Sequence, residues 1–253
     1  MNLNKHQFAL YTEVVGYIVK YRSCFDIHEI DDPIILYRVS NILRLEKGDQ
    51  IIFFDSNYNI KCSIISVITK KKIVVELLSI NHNQPLNPKI TWLLPLLKKE
   101  AFESALYLLT QMGVQDIQPL ITEKTYKLIN IEKDSLRNKK IMISAAEQSK
   151  QFILPNILPV MPFDLYFISK IDKPKVLNIF FDASGDPLSK VIDHIRLESP
   201  NELLVLVGPE GDLTYEEKMK LIEHEFKFSA LTKTILRTQE AIAVSLGALR
   251  SLL

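Results

Sequence analysis

The sequence predicts an α/β protein with two domains, and three observations support that prediction. From residue 90 onward, apolar runs typical of buried strands alternate with segments of helical periodicity, which is the pattern of a parallel sheet with helices on both faces. Earlier in the chain, short strands are separated by turn signals, which is the pattern of a small β-barrel. A polar stretch that contains Pro85 separates the two patterns. We therefore place one domain at residues 1–82 and the other at residues 88–253.

Composition indicates a soluble globular protein with an ordinary core. The 253 residues are 47% hydrophobic and 24% charged, and the formal net charge of +1 provides no global field for nucleic acid. The two cysteines, Cys24 and Cys62, have neither the spacing of a metal site nor the number needed for a disulfide framework. No run approaches the roughly 18 apolar residues of a membrane span, and residues 1–6 lack the apolar centre of a signal peptide. We therefore expect a cytoplasmic protein without membrane or metal partners.

In the first domain, the sequence predicts one helix followed by three strands. Residues 8–19 are apolar, but their spacing favours neither helix nor strand. Residues 34–45 have a helical period that ends at Gly48. The predicted strands span residues 50–55, 60–68 and 73–78. The charged turn at residues 70–72 contains three lysines, for which a solvated hairpin tip is favoured over an RNA contact.

The second domain is predicted to contain alternating strands and helices. The predicted strands span residues 90–97, 114–120, 176–182, 203–207 and 228–231. The predicted helices span residues 98–112, 134–149, 187–195, 214–226 and 238–253. Gly113 ends the first of these helices, and Thr214 with Glu217 has the spacing of a capping box. Small and apolar residues form a stripe along the last helix, which is compatible with either core packing or a dimer face.

The sharpest local feature is a glycine turn directly after the strand at residues 203–207. Gly208 and Gly211 bracket Pro209 and Glu210, and glycine allows a ligand to approach the backbone closely. In open α/β sheets, ligands bind beyond the carboxyl ends of the strands. From these observations alone, a ligand site and an ordinary strand-to-helix turn stay equally open. The chain lacks the common nucleotide-binding and hydrolase motifs, and its histidines lack metal-ligand spacing.

Five motifs occur in an order that resembles a known family. The glycine turn at residues 208–211 is followed by Ile235-Leu236-Arg237-Thr238 at the start of the last helix. The other three are Ala145-Ala146-Glu147-Gln148-Ser149 before Pro155-x-Ile157, Met112-Gly113-Val114 before Pro119-Leu120, and Ile42-Leu43-Arg44 before Gly48-Asp49 and Phe54-Asp55. From about residue 34 to its end, the chain resembles the SPOUT methyltransferase class and, more closely, the ribosomal RNA small subunit methyltransferase E family.

The resemblance implies a C-terminal SPOUT domain with a parallel sheet and a deep trefoil knot. It also implies an N-terminal PUA-like β-barrel that binds RNA. The expected protein is a homodimeric enzyme that uses S-adenosyl-L-methionine to methylate N3 of a uridine in 16S ribosomal RNA. Its expected partner is the free 16S RNA or the small ribosomal subunit, and the sequence leaves both open. The alternative is a relative that keeps the fold and binds ribosomal RNA but has weakened catalysis.

The resemblance assigns site residues by position. Those that would bind the cofactor are Phe181, Val207, Gly208, Glu210, Gly211, Leu231, Ile235 and Leu236. Those that would contact RNA are Arg44, Lys98 and Lys99, and each is explained equally well as plain surface. Arg237 is the catalytic candidate, because its guanidinium would face the RNA or the reacting uridine and stabilise the N3 anion.

The chain departs from the family pattern at the cofactor and RNA surfaces. Asp212 stands where the family has a further glycine directly after Gly-Pro-Glu-Gly, and Thr232 stands where it has a glycine after the last strand. Gln239 precedes Glu240, whereas the family has the acid one position earlier, and one position turns a helical side chain by about 100°. Because the two glycines of the turn and the arginine remain, the sequence favours an active enzyme.

Overall fold

The computed structural model describes residues 7–21, 27–68, 71–125, 133–169 and 175–253. The expectations for residues 1–6, Cys24 and Lys70 lie outside the described residues. The chain forms two units, of which the first is Met1–Gln84 with Ala146–Ile153 and the second is Pro85–Ala145 with Leu154–Leu253. Within the described part of the chain, no helix is long and apolar enough to cross a membrane.

The first unit contains a five-stranded sheet. Its elements are β1 (Phe8–Tyr11), α1 (Val14–Tyr21), β2 (Ile27–Ile30), α2 (Pro33–Tyr37), a π-helical turn (Arg38–Ile42), β3 (Gln50–Phe54), β4 (Tyr58–Ile68) and β5 (Lys72–His82). The strand order is β1-β3-β4-β5-β2, with β1 parallel to β3 and the other pairs antiparallel. The predicted helix and three strands are confirmed, and the unassigned segment 8–19 holds β1 and most of α1. Among the described strands, the ladder runs from β1 to β2 without closing.

Side-chain bonds to the backbone fix the local geometry of the first unit. Asp32 caps α2 by accepting hydrogen bonds from the amides of Ile34 and Ile35 at 2.8 and 3.0 Å. Asp55 accepts two backbone N–H bonds, each of 2.7 Å, in the turn between β3 and β4. Glu147, from the middle motif, pairs in bidentate fashion with Arg38 at 2.6 and 2.7 Å. That glutamate therefore has a structural role inside the first unit.

The second unit alternates strands and helices as predicted. Its elements are β6 (Lys89–Pro95), α3 (Lys99–Gln111), β7 (Asp116–Ile121), α4 (Ser135–Ser149, which continues into the first unit), β8 (Asn156–Ile157), β9 (Met161–Pro162), α5 (Phe163–Ser169), β10 (Val176–Pro187), α6 (Leu188–Glu198), β11 (Glu202–Val207), α7 (Tyr215–Glu223), β12 (Lys227–Ala230) and α8 (Thr238–Leu252). Each predicted element is confirmed. The sequence missed β8, β9 and α5 because they are too short to show a period.

A seven-stranded parallel sheet forms the centre of the second unit. The strand order is β12-β10-β11-β6-β7-β8, with β9 also beside β7. Residues 203–207 of β11 are all nearly inaccessible to solvent, as their apolar run predicts. Because β11 lies between β10 and β6, its carboxyl end places the glycine turn in the interior of the sheet rather than at an edge strand.

The last helix is anchored by one arginine. Arg250 of α8 donates hydrogen bonds to the carbonyls of Pro88, Met112 and Gly113 at 2.9, 3.0 and 2.8 Å. The last two carbonyls belong to the end of α3, where Gly113 has a φ of 65°, so the predicted glycine cap is confirmed. The guanidinium thereby satisfies carbonyls that a helix end leaves without partners.

Candidate active site

A segment within β10 and the loops at the carboxyl ends of β11 and β12 surround a cleft in the second unit. Phe181 of β10 pairs in register with Val207 of β11, so the segments that follow these residues begin side by side. The loop after β12 leads to Arg237. The cleft has a volume of about 840 Å³, which is within the usual range for a small-molecule or cofactor site.

Most of the site residues expected from the sequence lie in this cleft. Those that line it are Phe181, Val207, Gly208, Glu210, Leu231, Ile235, Leu236 and Arg237. Gly211 does not line it, and its carbonyl instead accepts a hydrogen bond from Lys124 Nζ at 2.8 Å. The sequence placed both glycines of the turn at a ligand, whereas the structure brings only the first of them to the cleft.

The glycine turn is closed by its own backbone and joined to the last helix. Asp212 donates its N–H to the Pro209 carbonyl at 2.9 Å, which closes a four-residue turn. The Gly208 carbonyl accepts a hydrogen bond from the Thr238 hydroxyl at 3.0 Å. A Cβ added to Gly208 would lie 3.1 Å from Asp212 Oδ1. The turn therefore presents bare backbone to the cleft and leaves little room for a side chain.

The loop after Phe181 is a bulge within β10. Strand pairing with β12 shifts between Phe181 and Asp186, so residues 182–185 project from the ladder, and three of them line the cleft. Gly185 returns the chain to β12 at very close range, because a Cβ there would lie 2.3 Å from backbone atoms of Phe228 and Ser229. Only glycine fits this approach.

The helix after the glycine turn begins with the predicted capping box. Thr214 Oγ1 accepts a hydrogen bond from the Glu217 amide at 3.3 Å, and Glu217 Oε2 accepts one from the Thr214 amide at 2.9 Å. The other oxygen of Glu217 accepts a bond from the Glu123 amide at 2.8 Å. This buried carboxylate thus joins the start of α7 to the loop after β7.

An ion cluster that the sequence did not predict also lines the cleft. Lys218 Nζ of α7 lies 2.7 Å from Asp182 Oδ2 and 2.8 Å from Asp212 Oδ2. Burial opposes the charge on Lys218, but hydrogen bonds to the two carboxylates outweigh it and raise the pKa of Lys218. Burial likewise opposes the charge on Asp182, but hydrogen bonds from Lys218 and Ser184 outweigh it and lower the pKa of Asp182. Lys218 and Asp182 are therefore both charged at neutral pH.

The arginine of the last motif lies at the rim of the cleft. Arg237 precedes α8 and is exposed, and no hydrogen bond or ion pair joins its side chain to any residue that the structure describes. Ile235 beside it is 90% exposed, although it is large and apolar. An unpaired guanidinium and an exposed isoleucine next to a cleft are groups that a bound ligand could cover.

The three expected RNA contacts have different surroundings. Lys98 is exposed directly before α3, whereas Lys99 pairs with Asp134 at 3.2 Å. Neither lysine lines the cleft, although Ala101 of the same helix does. Arg44 is exposed in the first unit, with a φ of 51°. Within the described ranges, no group of three or more His, Cys, Asp or Glu residues could hold a metal ion.

Two relatives of this chain carry the same name. The ribosomal RNA small subunit methyltransferase E of Synechocystis sp. is 28% identical over 222 residues, which cover 86% of this chain and 71% of that protein. The protein of the same name from Bacillus subtilis is 27% identical over 222 residues, which cover 85% of this chain and 86% of that protein.

Solved structures share the whole fold. The structure of a ribosomal RNA small subunit methyltransferase E from Neisseria gonorrhoeae bound to S-adenosyl methionine matches with a TM-score of 0.75 and 23% identity, over 98% of both chains. A probable rRNA-methyltransferase from Porphyromonas gingivalis matches with a TM-score of 0.70 and 21% identity, over 97% of this chain and 98% of that chain. The sequence model of the RNA methyltransferase domain matches residues 84–250, which is well over half of the chain. This chain therefore belongs to the RNA methyltransferase domain family.

Proposed function

We propose that this protein is an S-adenosyl-L-methionine-dependent methyltransferase that acts on N3 of a uridine in 16S ribosomal RNA. One observation carries the proposal most directly. The segments that the family resemblance assigns to the cofactor lie around one cleft, beside the β10 bulge and the carboxyl ends of β11 and β12. The RNA substrate is proposed from the names of the relatives, which are small-subunit ribosomal RNA methyltransferases.

The residues of the cleft fit S-adenosylmethionine. The cofactor has an apolar adenine face, polar adenine edges and a methionine tail that bears a sulfonium. Phe181, Val207, Leu231 and Leu236 supply apolar lining, and the bare backbone of Gly208 supplies a surface that a ligand can approach closely. The volume of about 840 Å³ is sufficient for a ligand of this size.

Arg237 is proposed to prepare the uridine for methylation. Uridine N3–H is a weak acid with a pKa near that of tyrosine, ~10, so a base must remove its proton before N3 can act as a nucleophile. A cation beside the base stabilises the resulting anion, and Arg237 is exposed at the rim of the cleft without a partner among the described residues. The bound cofactor supplies the methyl group as a sulfonium electrophile. The planar guanidinium of Arg237 suits both a uracil carbonyl and an RNA phosphate.

The finer features of the family resemblance belong to the same proposal. A trefoil knot is proposed from the resemblance. A homodimer is supported by apolar Val244 and Leu252, which are 41% and 45% exposed on α8. A PUA-like, RNA-binding first domain at residues 1–82 and a catalytic domain at residues 88–253 are proposed from the resemblance. Arg44, Lys98 and Lys99 are the proposed RNA contacts, and the proposed location is the cytoplasm.

Calorimetric titration with S-adenosylmethionine tests the cofactor part of the proposal. Saturable binding by the wild-type chain is expected. Gly208→Val should abolish this binding. A Cβ added at this position would lie 3.1 Å from Asp212 Oδ1, and the two methyl groups of valine would extend further. A wild-type chain that binds no cofactor at millimolar concentration would overturn the proposal and leave a ribosomal RNA-binding relative without catalysis.

A further inference from the structure

Three charged side chains from three different segments meet at one wall of the cleft. Asp182 belongs to the β10 bulge, Asp212 follows the glycine turn, and Lys218 belongs to α7. The lysine ammonium contacts one oxygen of each carboxylate at 2.7 and 2.8 Å. The side chains of Asp182 and Lys218 are 11% and 25% exposed, so this pair is shielded from solvent, whereas Asp212 is 56% exposed. Lys218 thus links two loops that border the proposed cofactor site.

The linkage is tied to an unusual residue in the turn. Asp212 has a φ of 57°, a left-handed conformation that glycine adopts freely and other residues adopt only at a cost. Its own side chain compensates locally, because Oδ1 accepts the Leu213 N–H at 2.8 Å while Oδ2 contacts Lys218. An aspartate at position 212 therefore brings a second carboxylate close to Asp182. Among the described residues, only Lys218 neutralises this pair of carboxylates.

The remaining charges of the cleft do not substitute for this lysine. The charged residues that line the cleft are Asp182, Glu210, Asp212, Lys218 and Arg237. Arg237 has no hydrogen bond or ion pair with a described residue, so it does not contact either aspartate. Without Lys218, two carboxylates that now share one ammonium would face each other across the cleft wall. Their repulsion would separate the bulge from the glycine turn.

We propose that Lys218 is a positioning residue for the cofactor, which holds the β10 bulge and the glycine turn at the separation that binding requires. The role exists because Asp212 stands where a glycine would need no counter-charge. This inference rests on the proposed function, since it assigns Lys218 to the S-adenosylmethionine site. It predicts that the effect of losing Lys218 depends on which residue occupies position 212.

The test compares the effect of Lys218→Met on cofactor affinity in two backgrounds. In the wild-type background, we expect K218M to weaken S-adenosylmethionine binding roughly tenfold, a coupling typical of contacting side chains. In the D212G background, the same K218M change should alter the affinity less than about twofold, because one of the two opposed carboxylates is gone. K218R should retain affinity within about threefold, because it preserves the charge.

Two further readouts separate positioning from general stability. Lys220→Met is the matched control, because Lys220 lies on the same helix and pairs with Asp164 outside the cleft. It should leave cofactor affinity unchanged. In RNA methylation, K218M should raise the KM for the cofactor while the kcat at saturating cofactor stays within about threefold, because the reacting groups are intact.

The outcomes distinguish a failure of the inference about Lys218 from a failure of the proposed function. Equal affinity of K218M and wild type would overturn the inference while leaving the proposed function in place. An equal loss in both backgrounds would also overturn it, because the loss would then be independent of Asp212. Absence of binding by the wild-type chain would overturn the proposed function and this inference with it. A tenfold loss that D212G suppresses would support both.

Discussion

Gly185→Ala tests how closely the β10 bulge, which lines the cleft, packs against β12. The added Cβ would lie 2.3 Å from the carbonyl carbon of Phe228 and from the amide nitrogen of Ser229, whereas ordinary contacts begin near 3.4 Å. The β10 bulge would have to move away from β12 by roughly 1 Å, which disturbs the pairing of Asp186 with Ser229. Overpacking and one or two weakened hydrogen bonds together should lower the free energy of unfolding by about 2–4 kcal/mol.

Urea denaturation followed by tryptophan fluorescence measures this change in the relevant unit. Trp92 is the single tryptophan of the chain and is fully buried in β6, so its emission reports unfolding of the second unit. Gly247→Ala is the matched control, because a Cβ there meets nothing within 4 Å and alanine favours a helix by about 1 kcal/mol. The control should be stabilised while Gly185→Ala is destabilised. A Gly185→Ala protein as stable as wild type would refute the close approach of the bulge to β12.

Three other predictions concern the rim of the cleft and the first unit. Thr238→Val should weaken cofactor binding and destabilise the second unit by about 1–2 kcal/mol, because it leaves the Gly208 carbonyl without its hydroxyl donor. Thr238→Ser keeps the hydroxyl and should change neither property. Urea titration measures the stability of the two variants, and calorimetry measures their cofactor affinity. Arg237→Ala should reduce the kcat for RNA methylation by about 10²–10³ while the cofactor Kd changes less than about threefold, and equal loss of both would contradict its assignment to the uridine. Burial raises the pKa of the Cys62 thiol to about 12. In a Cys24→Ser chain, a thiol reagent at pH 8 should therefore label Cys62 only as urea unfolds the first unit. Prompt labelling in native buffer would contradict the burial of Cys62.

The features that sequence predicted best are those with local causes. The apolar run at residues 203–207 predicts a strand buried on both faces because every side chain must avoid water, and the structure buries them all. Thr214 and Glu217 predict a helix start because both bonds of a capping box join residues three apart, and both bonds are present. In each case the interacting groups lie within a few residues of each other.

The features that sequence missed depend on tertiary contacts. Asp182 and Lys218 are 36 residues apart, and no spacing rule joins them. The bulge of β10 depends on how closely Gly185 approaches β12, which a lone glycine in a polar stretch does not indicate. Gly211 lies outside the residues that line the cleft, and its carbonyl accepts a hydrogen bond from Lys124, which is distant in sequence. The sequence shows Asp212 as a departure from the family pattern, whereas its ion pair with Lys218 depends on the fold.

We propose that this chain transfers a methyl group from S-adenosylmethionine to N3 of a uridine in 16S ribosomal RNA. Mass spectrometry of nuclease-digested small-subunit RNA tests it most directly, in a strain that lacks the gene and in the same strain complemented with the wild-type or Arg237→Ala gene. A methyl group at N3 also blocks Watson–Crick pairing, so primer extension on the same RNA should stop at the modified uridine. We expect N3-methyluridine in the wild-type complement and its absence in the other two strains. Identical methylation with and without the gene would contradict it.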